Sequence, residues 1–210
     1  MEQKKEDIYL SHEDSYNLYK MFYEVSQLLE KNGIVYWITA GTFLGAVRSG
    51  GIIKWDDDID IMIPVEYKNK LYKLFRNNDK LFVYSNIMYI THDKISYRNN
   101  DKYFIDVFYG SPKLLNKKIV FEHNNFICCY LWPNEYFYLD KLFPLRKYKF
   151  GAYEVYGPKE YQEFMERNFS KKWNKEAVIS HSHSKKLKKP IIFTMKHEDY
   201  EPAKPFFIPK

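Results

Sequence analysis

The 210-residue chain has no run of about 18 or more apolar residues, so no transmembrane helix is expected. Its first residues, Met1-Glu2-Gln3-Lys4-Lys5-Glu6-Asp7, are charged and lead into no apolar stretch, which argues against a cleaved secretory signal. Cysteine is scarce. Cys128 and Cys129 are the only two, and a bridge between sequence neighbours would be badly strained. A disulfide scaffold is thereby excluded, and reduced buried thiols in a reducing, cytoplasmic compartment are expected. No internal repeat is evident. A uniformly basic face is missing as well, although the net charge is +6. Residues 1–170 carry 23 Lys and Arg against 23 Asp and Glu, whereas residues 171–210 carry ten Lys against four acids. The whole excess therefore sits at the C-terminal end, and nucleic acid is not the expected partner.

What is present is a balanced, aromatic-rich chain, 45% hydrophobic and 29% charged, with 20 Tyr, 16 Phe and 4 Trp. That composition fits one globular domain over residues 1–173 followed by a basic, loosely packed tail over 174–210. A helix is expected over 12–31, opened by Ser11 as N-cap and stopped at Asn32-Gly33, with Leu18, Phe22, Val25 and Leu28/Leu29 at helical spacing. Residues 34–39 read as a buried strand, and Ala40-Gly41-Thr42 turns the chain into a short helix over 43–48. In 58–63 acid and apolar residues alternate with the period of a strand, so Asp58 and Asp60 share one face. A helix over 66–76 and strand-like runs at 81–85, 87–91, 94–98 and 103–108 follow. A hairpin over 147–156 and a helix over about 159–169 complete the pattern. Within the tail, Ile191-Ile192-Phe193 and Phe206-Phe207-Ile208 are the expected anchors.

An acid in the middle of an apolar strand is costly unless its charge is compensated. Here it happens three times, at Asp58, Asp60 and Asp106, the last inside Phe104-Ile105-Asp106-Val107-Phe108. If those strands are neighbours, three carboxylates converge and call for a cation between them. An all-oxygen set with room for water and phosphate favours Mg2+ or Mn2+. Upstream, a strand followed by Gly41-Thr42 and a helix start offers backbone N–H groups to a phosphate. Arg48 and Lys54 lie between that turn and the acids, and Arg can grip phosphate bidentately. Asp56 and Asp57 are read as shaping the turn before the strand, Trp55 as core, and His181-Ser182-His183 as a solvated loop. Asn168-Phe169-Ser170 fits a glycosylation sequon but is read as incidental.

The stretch Tyr36-Trp37-Ile38-Thr39-Ala40-Gly41-Thr42-Phe43-Leu44-Gly45-Ala46-Val47-Arg48, followed by Gly51-Ile52-Ile53-Lys54-Trp55-Asp56-Asp57-Asp58-Ile59-Asp60-Ile61, closely resembles the signature of the LicD family of phosphotransferases. The match is dense over residues 28–64 and weaker through Lys94-Ile95, Ile105-Asp106-Val107-Phe108 and Trp173. The resemblance implies an α+β, nucleotidyltransferase-like fold with a mixed β-sheet flanked by helices. It implies that Asp58, Asp60 and Asp106 hold Mg2+ or Mn2+ and carry catalysis, with Asp106 orienting or deprotonating the acceptor. Gly41, Thr42, Arg48, Lys54 and Lys94 are implied to face the donor's phosphates. The reaction so implied moves a phosphorylated alcohol, such as phosphocholine or ribitol phosphate, from a CDP-activated donor to a glycan hydroxyl, releasing CMP. Two other readings stay open: a nucleotidyltransferase using an NTP, and an inactive nucleotide- or glycan-binding protein, against which the presence of all three acids argues.

Overall fold

A computed structural model describes residues 4–85 and 91–209. Helix α1 (His12–Lys31) starts where Ser11 Oγ accepts the Asp14 N–H at 3.1 Å. It buries Leu18, Phe22, Val25 and Leu29 along one stripe. The expected strand over 34–39 is reduced to β1 (Trp37–Ile38), because Thr39 leaves the sheet to cap α2 (Ala40–Arg48). That helix begins three residues earlier than expected. Gly41 and Thr42 therefore lie inside its first turn, and the Thr39 carbonyl already accepts the Phe43 N–H at 2.8 Å.

The chain continues through β2 (Ile59–Pro64), α3 (Lys68–Arg76), β3 (Leu81–Ser85), β4 (Asp93–Tyr97) and β5 (Asn100–Leu115). Four of the five residues of the strand expected at 87–91 lie outside the described residues, and the described chain resumes at Thr91. Next come β6 (Lys118–His123), α4 (Phe126–Leu131), β7 (Tyr136–Tyr138) and α5 (Leu139–Leu142), none of which the sequence periodicity had marked. The hairpin β8 (Arg146–Phe150) and β9 (Tyr153–Gly157) and helix α6 (Gln162–Phe169) match their expected places.

The result is an α+β fold built on a seven-stranded mixed sheet, ordered β1-β2-β5-β4-β3, with β6 and β7 continuing from the far half of β5. Only β2 and β5 run parallel. Their register sets Asp60 beside Asp106, and the antiparallel β4–β5 register sets Lys94 on the other side of Asp106. Three ionisable residues thus stand in a row across three central strands. The aromatic surplus goes into the interior. Phe43, Phe137 and Phe164 cluster under α2, the latter two stacked at 4.2 Å, while Tyr19, Phe22 and Phe150 pack edge to face under α1.

Residues 174–210 depart from the expected loose tail. They form the antiparallel pair β10 (Glu176–Ile179) and β11 (Ile191–Thr194), and bury Ala177, Ile179, Met195, Asp199 and Ala203. The Ala203 N–H donates to the Ile52 carbonyl at 2.8 Å, and Phe206 meets Tyr19 edge-on at 5.3 Å. Apolar residues in this stretch are sparse and irregularly spaced, so they show no period in sequence; Ala177, Ile179, Met195 and Ala203 nevertheless pack into the core, while Val178, Ile192 and Ile208 stay exposed. Among the described residues no helix is long and apolar enough to cross a membrane.

Candidate active site

The helix α2 start and the β2 start are bolted together through the backbone of one residue. Thr39 N–H donates to the Asp60 carbonyl at 3.1 Å, and Asp60 N–H donates to Thr42 Oγ1 at 2.7 Å. With both main-chain groups of Asp60 held, its side chain is aimed before any ligand arrives. Thr42 is buried and lines neither of the cavities described below, so the structure sets it beneath the site as a clamp rather than against a phosphate. Gly41 does face a cavity. A Cβ there would lie 2.7 Å from Asp56 Oδ2, so glycine is what lets the Asp56 carboxylate approach the first turn of α2.

Asp58, just ahead of β2, and Asp60 and Asp106, on β2 and β5, converge as expected on one cavity. Their environments differ. Burial, followed by the charges of Asp58 and Asp106, pushes the Asp60 carboxyl well above the ordinary range. Asp56 is pushed the same way by burial and by Asp58 and Asp57, with Arg48 only partly opposing. For Asp106 burial also acts upward, but it is outweighed by His92 and Lys94, and the carboxyl is held below its usual value. The geometry explains this: Lys94 Nζ is 2.7 Å and His92 Nε2 3.1 Å from Asp106 Oδ1. Lys94 also lies over the Phe104 ring, 3.4 Å from its centroid.

Two chambers meet at these acids. The larger, about 790 Å³, runs from Asp58, Asp60 and Asp106 to an apolar wall of Phe108, Leu131, Trp132 and Pro133. The smaller, about 570 Å³, runs from the same Asp58 and Asp60 past Gly41, Arg48 and Asp56 to Trp55 and Trp173. Arg48 NH1 donates to the Trp173 carbonyl at 3.1 Å, and among the described residues Arg48 Nε has no partner. Burial lowers its pKa to about 10, which leaves it cationic at neutral pH. Lys54 is not brought to either chamber; its Nζ donates to the Glu198 carbonyl at 2.6 Å.

Several site residues escaped the sequence reading. Glu135 lines the larger chamber and is held by Thr39 Oγ1 at 3.2 Å and His123 Nε2 at 2.8 Å. Asn168 borders both chambers, its Nδ2 donating to the Asn134 and Phe164 carbonyls. His92 and Glu135 lie in stretches without strong periodicity, so nothing local marked them. His181 and His183, read as a solvated loop, are exposed and also line both chambers. Their one sequence signal was the His-x-His spacing, which alone is nonspecific.

The donor set fits a divalent cation. Ligand atoms of Asp58, Asp106 and His183 all lie within 4.8 Å of one another. Asp60 stands next to Asp106 in the sheet but outside that group of three, so the carboxylate triad expected from sequence is arranged as two acids plus an imidazole with the third acid alongside. Carboxyls raised by burial and by one another's charge are what a cation between them would relieve.

The family model described as the nucleotidyltransferase domain of LicD, FKTN and FKRP matches residues 33–160. An uncharacterized protein of Rickettsia prowazekii is 33% identical over 202 residues, covering 93% of this chain and 72% of that protein. One of Rickettsia typhi is 35% identical over 203 residues, with 94% of this chain and 61% of its own length covered. The mouse ribitol 5-phosphate transferase FKRP is 27% identical over 150 residues, which is 68% of this chain but 29% of that enzyme. The chain therefore spans only part of each relative. The matched region contains α2, β2, β4 and β5, the elements that carry the carboxylates and their partners, and the chain belongs to the LicD family.

Proposed function

We propose that this protein transfers a phosphorylated alcohol from a CDP-activated donor to a glycan hydroxyl, with CMP as the leaving product and Mg2+ or Mn2+ as the cofactor. The observation that carries this reading is the meeting of two chambers at Asp58 and Asp60, with Asp106 in register beside Asp60. A transfer between two bound substrates needs both of them to reach one reacting centre. A divalent cation held by Asp58, Asp60 and Asp106 would neutralise charge on the diphosphate and the departing CMP.

The chain's own residues supply the rest. Arg48, with its free Nε, and Lys94 flank the acids from opposite chambers and grip phosphate oxygens. The aromatic walls, Trp55 and Trp173 on one side and Phe108 and Trp132 on the other, exclude water and stack on the flat or apolar parts of the substrates. Asp106, kept anionic by Lys94 and His92, is suited to orient the acceptor hydroxyl rather than to take its proton. Support for the substrate class comes from the similarity to mouse FKRP, a ribitol 5-phosphate transferase.

The test offers CDP-choline, CDP-ribitol, CDP-glycerol and NTPs in turn with Mg2+ or Mn2+ and follows products by phosphorus NMR. Release of CMP is expected from one CDP-alcohol. Release of pyrophosphate from an NTP instead makes the protein a nucleotidyltransferase. Asp58→Ala and Asp60→Ala are expected to abolish turnover, a fall of at least about a thousandfold, with circular dichroism unchanged. Full turnover in excess chelator would sink the metal-dependent reading.

A further inference from the structure

His183 comes from the C-terminal segment, far in sequence from the carboxylates, yet its Nε2 sits 2.9 Å from Asp58 Oδ2. We propose that His183 is a ligand of the catalytic cation, so that the segment following β10 adds an imidazole nitrogen to the carboxylate site, nearest to Asp58 and Asp106 and with Asp60 alongside. The inference rests on the reading of the acids as a metal site and adds to it an imidazole.

Three observations carry it. First, the three ligand atoms are mutually within 4.8 Å although they come from the loop before β2, from β5 and from the segment after β10. Groups on three separate elements converge in this way only if the tertiary fold delivers each of them. Second, the delivery is built. The Asp57 carboxylate accepts from Ser182 Oγ at 2.8 Å, from the His183 N–H at 3.1 Å and from the Ser184 N–H at 2.6 Å. One residue farther on, Lys185 donates its N–H to Ser182 Oγ and its Nζ to the Asp7 and Tyr9 carbonyls, at 2.8 and 3.1 Å. The strap is thus tied down on both sides of His183, and its backbone cannot move away without breaking several hydrogen bonds. Third, the imidazole plane is set by edge-on contacts with Phe104 at 5.1 Å and with His181 at 4.6 Å. A ligand held in position and orientation by surrounding groups is the arrangement metal sites require.

The competing role for His183 is a plain ion-pair partner of Asp58, displaced when a cation enters. The two roles differ in what bonds to the ion. An imidazole in the coordination set also shifts the site from Mg2+, which demands oxygen, toward Mn2+ and other transition ions that accept nitrogen.

The experiment loads the full-length protein with Mn2+ and records pulsed electron paramagnetic resonance. The wild type is expected to show nitrogen modulation from a directly bound imidazole, and His183→Gln to lose it while binding Mn2+ about tenfold more weakly. His181→Gln, which removes the neighbouring ring, is expected to keep the nitrogen signal. Asp57→Asn, which loosens the strap, is expected to weaken Mn2+ binding more than Mg2+ binding, whereas a His183 that only pairs with Asp58 predicts equal effects on both ions. Mn2+ bound by the wild type without nitrogen modulation, or modulation that persists in His183→Gln, overturns the ligand role and leaves the carboxylate site standing. No Mn2+ binding by the wild type overturns both readings.

Discussion

Asp60 shows how one residue's stability and function pull apart. Its backbone is satisfied twice, by Thr39 and Thr42, and leaving its buried N–H without Thr42 would cost about 1–3 kcal/mol. Its side chain is the opposite case, because burial and the neighbouring charges of Asp58 and Asp106 raise the carboxyl well above its ordinary range. A carboxyl whose folded pKa is raised binds more protons when folded, so the protein loses stability as pH rises through that range. In chelator, Asp60→Asn is therefore expected to melt a few degrees higher than wild type at pH 8, by about 2–4 °C for each 1 kcal/mol recovered. The gain should shrink to nothing below about pH 4, where the unfolded carboxyl is also protonated. Calorimetry at several pH values reads this directly, and an unchanged or lowered melting temperature at pH 8 would show that the carboxylate is already compensated.

At the scale of elements, the turns Lys5–Ile8 and His197–Tyr200 are joined by one buried carboxylate. Asp199 accepts from Lys5, from Tyr9 Oη at 3.2 Å and from the Lys196 N–H at 2.8 Å. Burial acts upward on its pKa, but the Lys196 and Lys5 contacts outweigh it and the carboxyl is held below the usual range. The sign is opposite to that of Asp60. Stability from this contact is fully present above the unfolded carboxylate value near about 3.9 and fades as pH falls through the lower folded value. Asp199→Asn is expected to lower stability by about 1–3 kcal/mol at pH 7 in urea titration, with the difference from wild type closing toward pH 2. A difference that stays constant with pH would assign the loss to packing instead of charge.

For the whole molecule, the basic C-terminal segment changes meaning. Its lysines account for the net charge, but its role in the fold comes from β10, β11 and the buried residues after them, with β10 walling the smaller chamber and the stretch after it carrying His183 to the acids. Deleting residues 174–210 exposes the Tyr19 and Ile52 surfaces that Phe206 and Ala203 cover. The truncated protein is expected to lose cation binding and to melt at least 10 °C lower, on the order of several buried apolar contacts at 1.5–3 kcal/mol each. Thermal melts at two salt concentrations separate this from a purely electrostatic tail, whose removal would leave the melting temperature in place and alter only salt-sensitive binding.

Much of the architecture was legible in the residues because it rests on local periods. The α1 stripe repeats with the helical period, the Asp58-Ile59-Asp60-Ile61 alternation has the period of a strand, and Gly41-Thr42 marks a helix start. The acids on β2 and β5 could be named as partners before their register was known, since a carboxylate in an apolar strand demands compensation wherever it lies. What compensates it is a matter of long-range placement. Lys94 reaches Asp106 through an antiparallel register, and His183 reaches Asp58 through a strap anchored on Asp57. Thr42 and Lys54 turned from the phosphates to backbone contacts for the same reason. Sequence by itself determined which residues had to be solvated, buried or paired, because those are properties of each side chain and its near neighbours. Only the tertiary structure decided the pairings, which span 12 residues for Lys94 and Asp106 and 125 for Asp58 and His183, because each contact depends on how the intervening elements pack.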